Sequence, residues 1–109
     1  MAIIHIVLFQ FKADASAEDV KELCARFLAL KDNCIHPTSN VPYIKSLKAG
    51  KDNSPEGLQN GMTHGFVVEF ESAEDRDYYV EEDPVHKAFV KSAGIVAKPT
   101  VLDFEDGVY

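Results

Sequence analysis

The chain has 109 residues, the usual length of one domain, so a single domain over residues 1–109 is expected. Apolar residues make up 46% and charged residues 27%, which is typical of folded globular proteins and excludes disorder as the dominant state. The formal net charge is −7, which argues against nucleic-acid binding and against docking on anionic membranes, because both partners are negative. The expected partner is a neutral or cationic molecule, or a second copy of the chain.

The first predicted strand covers residues 2–12 and is apolar on both faces, so it should lie in the middle of a sheet that is covered on both sides. Its odd positions are Ile3, His5, Val7, Phe9 and Phe11, and its apolar even positions are Ile4, Ile6 and Leu8. A helix follows, with Ser16 as its N-cap and acidic residues in its first turn. We expect it to end at Asn33, before His36-Pro37.

The rest of the chain repeats this pattern. Residues 43–49 predict an edge strand, residues 50–61 a long turn, and residues 63–71 a second apolar strand. Ser72 opens another helix, which Asp83-Pro84 breaks, with one or two further turns over residues 85–90. The last predicted strand, residues 100–105, follows Pro99, a residue that suits a sheet edge.

The order β-α-β-β-α-β predicts an α+β fold of the ferredoxin-like, split-βαβ type, with a four-stranded antiparallel sheet in the order 4-1-3-2. A repeated strand–Ser-Ala-Glu-Asp–helix unit, at residues 16–19 and 72–75, supports this assignment. Two helices cover only one face of such a sheet. Because the first strand is apolar on both faces, we expect a second subunit to cover the other face in a homodimer.

The two cysteines predict reduced thiols. Cys24 and Cys34 lie ten residues apart around one predicted helix, roughly 15 Å along its axis if the helix continued, which is beyond disulfide reach. The apolar run at residues 3–9 has no basic segment before it and no cleavage site after it, and is too short to cross a bilayer. A cytoplasmic protein is therefore expected.

Four histidines are the main candidates for chemistry. His36 precedes a proline in a loop and should be solvated. His5 and His64 fall toward opposite ends of neighbouring strands, more than about 10 Å apart, so they should not share a metal ion. Neither a metal site nor a cofactor is expected.

His86 follows the helix break and lies close to two tyrosines. A histidine and a tyrosine that converge on an apolar pocket can act as general base and carbonyl donor, but the same residues can also be a helix cap and core packing. Asp103, in an otherwise apolar strand, either faces solvent or orients a histidine. The acidic run Glu81-Glu82-Asp83 is most simply a solvated face.

The order and spacing of several segments resemble the stress-responsive A/B barrel domain (Dabb) family over essentially the whole chain. These segments are residues 5–12, Thr63-His64, residues 70–72 and the Asp83-Pro84-x-His86-x-x-Phe89 motif. The resemblance implies a ferredoxin-like monomer that pairs with a second copy to form a dimeric α+β barrel. It implies no single activity, because the family includes stress-induced proteins without a known reaction as well as a polyketide cyclase.

The cyclase-type resemblance implies roles for particular residues. His86 corresponds to the base of an intramolecular aldol closure, Tyr79 to the residue that binds a substrate carbonyl, His5 to a pocket histidine and Asp103 to an acid near the base. One extra residue between Tyr79 and His86 leaves open whether Tyr78 or Tyr79 faces the pocket.

Three functions remain open on this resemblance. The first is a homodimer of unassigned activity that binds a hydrophobic, carbonyl-rich small molecule, and the second is a cofactor-independent cyclase. A cofactor-free oxygenase is a weaker third. Three phenylalanines are expected around or inside the pocket space, namely Phe27, Phe66 and Phe89. In the cyclase case Asp103 should accept a hydrogen bond from His86 and raise its pKa.

Overall fold

The computed structural model describes residues 1–109 and contains seven elements. The strands are β1 (Ile3–Phe11), β2 (Ile44–Lys51), β3 (His64–Phe70) and β4 (Val96–Glu105), and the helices are α1 (Ala17–Asn33), α2 (Ala73–Glu81) and α3 (Pro84–Lys91). All strand pairs are antiparallel, in the sheet order β2-β3-β1-β4. The predicted α+β class and the order 4-1-3-2 are confirmed.

The three helices begin where polar side chains cap them. The Ser16 hydroxyl accepts the Asp19 N–H at 3.0 Å, and the Ser72 hydroxyl accepts the Asp75 N–H at 3.2 Å. The segment after Asp83 is a separate helix rather than a continuation of α2. Asp83 is the N-cap of this helix, and Pro84 lies in its first turn. The backbone N–H groups of a first turn have no partner within the helix, so a proline is tolerated there.

Both edges of the sheet carry residues that disfavour further strand pairing. β4 begins at Val96, earlier than predicted, so that Pro99 lies inside this edge strand. A proline is tolerated there because one side of an edge strand has no neighbour to bond. The opposite edge, β2, contains Lys45, Lys48 and Lys51.

The core lies between the helices and the odd-numbered face of β1. Ile3, Val7 and Phe9 are buried on this face. On α1 the inward side chains recur at helical spacing, and Phe27 stacks on Phe66 of β3 with ring centroids 4.1 Å apart. This core forms the floor of the site described below.

The other face of the sheet has no helix over it and exposes apolar side chains. Val67 is 40% exposed, Leu102 59% and Phe104 40%. Ile6 of β1 lies directly between Val67 and Leu102 in the strand register. None of the three helices combines the length and the apolarity needed to cross a membrane.

Candidate functional site

A mainly apolar cavity of about 650 Å³ lies between α2, α3 and the helix-facing side of β1 and β4. Its apolar wall includes Val7, Phe9, Phe27, Phe89 and Val101. Its polar and charged wall residues are His5, Arg76, Asp77, His86 and Asp103, and Tyr79 also lines it. The volume is in the range of ligand-binding clefts in proteins.

His5 and Asp103 form a hydrogen-bonded pair in this wall. The two residues face each other in the β1–β4 register, so their side chains leave the sheet on the same side. The Nδ1 atom of His5 lies 2.6 Å from Oδ1 of Asp103, and His5 is only 5% exposed. Because a carboxylate can only accept, Nδ1 carries the proton, and Nε2 is the other ring nitrogen available for chemistry.

The expected hydrogen bond between Asp103 and His86 does not form. Asp103 accepts a hydrogen bond from His5 through Oδ1, and its Oδ2 accepts from Nη1 of Arg76 at 2.9 Å. The strand register makes His5 the direct neighbour of Asp103, whereas His86 reaches the cavity from α3. Asp103 therefore orients a histidine, as one of the two alternatives predicted, but the histidine is His5 and not His86.

His86 is held by stacking rather than by a carboxylate. Its ring lies on that of Tyr79, with centroids 3.9 Å apart and planes 26° apart, and its Nδ1 is buried without a hydrogen-bond partner. Burial lowers the pKa of His86, and the nearby Tyr79 backbone and Asp83 offset only part of this effect, while His5 adds to it. The expectation of a raised pKa is wrong, because burial favours the neutral form of this imidazole.

Of the two adjacent tyrosines, Tyr79 is the one at the cavity. Tyr78 instead packs against His36 and Tyr43, outside this cavity. The Tyr79 hydroxyl is buried and has no hydrogen-bond partner. Burial, with the nearby Cys34 and Asp83, raises the pKa of Tyr79, so the phenol keeps its proton and can only be neutral.

Asp83 is a buried residue that the sequence analysis assigned to a solvated acidic face. It is 1% exposed, and one of its oxygens accepts the Tyr43 hydroxyl at 2.5 Å. Its other oxygen accepts the backbone N–H groups of Val85 at 2.8 Å and His86 at 3.4 Å. Asp83 thus fixes the start of α3 and the backbone of His86. An acid directly before a proline at a helix start is the signal that identifies such a cap.

The other expected residues divide between the cavity and the core. Phe27 and Phe89 line the cavity, whereas Phe66 lies behind Phe27 in the stack and is not part of the wall. His36 is not freely solvated: it packs against Tyr43 and lies 3.5 Å from the Asp75 carboxylate.

Arg76 is a wall residue that the sequence analysis missed. It lies four positions after the Ser72 cap, and its guanidinium reaches Asp103 on β4. Helical spacing alone does not reveal which strand a side chain of α2 will meet. No group of three or more His, Cys, Asp or Glu side chains is arranged to hold a metal ion.

Solved structures of other proteins share this fold. The hydroxynitrile lyase of Passiflora edulis has a TM-score of 0.83 at 23% identity, over 99% of this chain and 96% of that protein. A dimeric ferredoxin-like protein of unknown function from Jannaschia sp. has a TM-score of 0.75 at 16% identity, over 96% and 99% of the two chains. These similarities extend to the fold alone.

Sequence comparison gives a closer relation. A stress-response A/B barrel domain-containing protein of Arabidopsis thaliana is 34% identical over 102 residues, which are 93% of this chain and 86% of the relative. The olivetolic acid cyclase of Cannabis sativa is 28% identical over 90 residues, or 82% and 80% of the two chains. The model of the stress responsive A/B barrel domain matches residues 3–106. The chain therefore belongs to the stress responsive A/B barrel domain family.

Proposed function

We propose that this protein binds an apolar, carbonyl-bearing small molecule in the cavity and catalyses a proton transfer on it, with His86 as the general base. The observation that carries the proposal is a cavity of about 650 Å³ with His86 in an otherwise largely apolar wall. A filled hydrophobic core would have left no room for a ligand beside this histidine.

The state of His86 suits it to the role of a base. Its lowered pKa keeps the imidazole neutral, and a neutral imidazole has one nitrogen free to accept a proton. Since Nδ1 is buried, we assign the acceptor role to Nε2. Tyr79 remains protonated, and its partnerless hydroxyl is our candidate donor to a substrate carbonyl.

An intramolecular aldol closure is the reaction that we assign to this arrangement. His86 takes a proton from a carbon between two carbonyl groups, and the resulting enolate carbon attacks another carbonyl of the same chain. One carbon–carbon bond forms, and the alkoxide takes the proton back from the imidazolium. The new hydroxyl then leaves as water, and enolisation of the remaining ring carbonyls gives an aromatic product that is one water lighter than the substrate. The relative named olivetolic acid cyclase supports this class of reaction. We assign no cofactor, because each step uses a side chain of the cavity.

Turnover of linear poly-β-ketone thioesters tests the proposal, with product mass and aromatic absorbance as readouts. We expect His86→Ala to lower turnover by about 10²–10⁴-fold, the usual contribution of a general base. His36→Ala is the matched control, because His36 lies outside the cavity. Full activity in a folded His86→Ala protein would contradict the assignment of the base.

A second candidate is ligand binding without turnover. The observation that favours it is that His86 makes no hydrogen bond to a carboxylate, so no acid supports the charge that it would acquire as a base. In this case the cavity would bind apolar ketones, no member of the thioester panel would yield product, and His86→Ala would leave binding intact.

We also propose that the protein is a homodimer. The uncovered face of the sheet supports this, since an apolar patch that contains Val67, Leu102 and Phe104 suits burial against an identical patch. The similarity in fold to a protein described as dimeric is consistent with the proposal. The net charge of −7 argues against nucleic acid or an anionic membrane as the partner.

A cytoplasmic location is part of the same proposal. Both cysteines are free thiols, and Cys34 is buried. Burial and the nearby Asp83 carboxylate raise the pKa of Cys34 to about 12, so it stays an unreactive thiol. Reduced, unpaired thiols suit a reducing compartment. Fractionation of the native cells with an antibody to the protein tests this location.

A further inference from the structure

The charged residues of the cavity wall are already paired with one another. Arg76 is the only lysine or arginine in the wall, and it lies between two carboxylates. Its Nε donates to Asp77 at 2.8 Å and its Nη1 to Asp103 at 2.9 Å. The guanidinium is therefore neutralised before any ligand arrives, and these three groups together carry a formal charge of −1.

The two histidines do not supply a free positive charge either. His5 is bound to Asp103 through Nδ1, and His86 is buried against Tyr79 as a neutral ring. A carboxylate or phosphate group on a ligand would lose its water in this cavity and would meet no unpaired cation. A cationic ligand would also lose its water, and both acids of the wall are already engaged by Arg76. The net charge of −1 on this group attracts a cation only weakly, because the Asp77 side chain is 56% exposed and its charge is screened by water.

From this arrangement we infer that the cavity selects uncharged ligands, and that Arg76, held between Asp77 and Asp103, sets this selectivity. The inference rests on the proposed function, because it defines the charge of the substrate at the same site. An uncharged ketone or neutral poly-ketone can bury its chain against Phe27 and Phe89 at no cost in charge desolvation. The corresponding free acid cannot.

Three probes test the inference. Each has the same phenylpentyl chain, and they end in a methyl ketone, a carboxylate and a primary amine. We expect calorimetry near neutral pH to give a Kd for the ketone at least about tenfold below that of either charged probe. Amide chemical-shift changes near His86 and Phe89 locate the bound probe.

A matched pair of variants tests the role of Arg76. Asp77→Asn removes one carboxylate partner of Arg76, so the carboxylate probe should bind several-fold more tightly relative to the ketone. Glu56→Gln changes the net charge by the same amount in an exposed loop outside this cavity, and it should leave the ratio unchanged.

The outcomes separate this inference from the proposed function. If no probe binds, the proposed function fails. If the ketone binds but the carboxylate or the amine binds equally well, the cavity proposal stands and the inference of an uncharged ligand is overturned. If Asp77→Asn behaves like Glu56→Gln, the selectivity does not come from Arg76.

Discussion

Tyr43 and Tyr79 are buried in the same core, but only one of their hydroxyl groups is paired. The Tyr43 hydroxyl donates to Asp83 at 2.5 Å, whereas the Tyr79 hydroxyl has no partner. A satisfied hydrogen bond contributes about 1 kcal/mol to stability, and a buried unsatisfied group costs about 1–3 kcal/mol. The Tyr79 hydroxyl is also closed off from solvent, so its missing partner is a cost to folding.

Phenylalanine substitutions should therefore have opposite effects on stability. We expect Tyr43→Phe to lower the free energy of unfolding by about 1 kcal/mol, and Tyr79→Phe to leave it unchanged or to raise it. Urea denaturation measures both. If the Tyr79 hydroxyl also binds the substrate carbonyl, Tyr79→Phe lowers turnover without loss of stability. A clear loss of stability in Tyr79→Phe would contradict the structure of this site.

The lowered pKa of His86 predicts a pH dependence of stability. Because the unfolded imidazole has its ordinary pKa of 6.5, it binds a proton more readily than the folded one. The stability that depends on this residue is fully present above pH 6.5 and is lost as the pH falls from there toward the lower pKa of the folded state.

His86→Gln should reduce this pH dependence. We expect the free energy of unfolding to fall less between about pH 7.5 and about pH 5.5 in this variant than in the natural protein. His64→Gln is the comparison, since burial and the nearby Lys51 also lower the pKa of His64. An equal fall in the natural protein and in His86→Gln would show that His86 is not shielded from water.

The junction between α2 and α3 depends on Asp83. This carboxylate accepts hydrogen bonds from the first turn of α3 and from Tyr43, and so ties a helix start to the segment that leads into β2. By comparison, the Ser16 cap of α1 is exposed and has one bond. The two caps should therefore differ in their contribution to stability.

Asp83→Ala should lower the free energy of unfolding by about 3 kcal/mol. The loss combines a helix cap, worth about 1 kcal/mol, with the cost of leaving the buried Tyr43 hydroxyl unpaired. Ser16→Ala, the control, should cost only about 1 kcal/mol. Equal losses in the two variants, measured by urea denaturation, would contradict this account of Asp83.

The elements show how far sequence reasoning reaches at this site. Strand alternation placed His5 on the same face of β1 as Val7 and Phe9, and the two serine caps predicted the starts of α1 and α2. The sequence patterns did not predict the register between β1 and β4. This register makes Asp103 the neighbour of His5 rather than of His86. Register depends on contacts along two whole strands, so local patterns do not determine it.

At the scale of the whole molecule, the sheet order followed from the chain order of strands and helices. The cavity did not, because its existence depends on how completely the side chains of several elements fill the space between them. Phe66 illustrates this: its sequence position is compatible with a wall residue, but its stack on Phe27 places it in the second layer.

The proposed dimer predicts the effect of a charge on the uncovered sheet face. Leu102→Glu should convert the dimer to a monomer in sedimentation experiments at micromolar concentration, because the carboxylate would be buried between two apolar patches. The control is Val41→Glu, at a residue of similar exposure, 53%, that precedes β2 and lies off the sheet face. A natural protein that sediments as a monomer would refute the dimer.

The residues at the two sheet edges limit how copies of this chain can associate. Pro99 interrupts the donors of one edge, and three lysines along the other repel an identical strand. Edge pairing is the step by which sheets extend without limit into fibres. With both edges disfavoured, the proposed association through the sheet face should end after two copies. Concentrated or heated samples should therefore accumulate closed pairs rather than amyloid-like filaments.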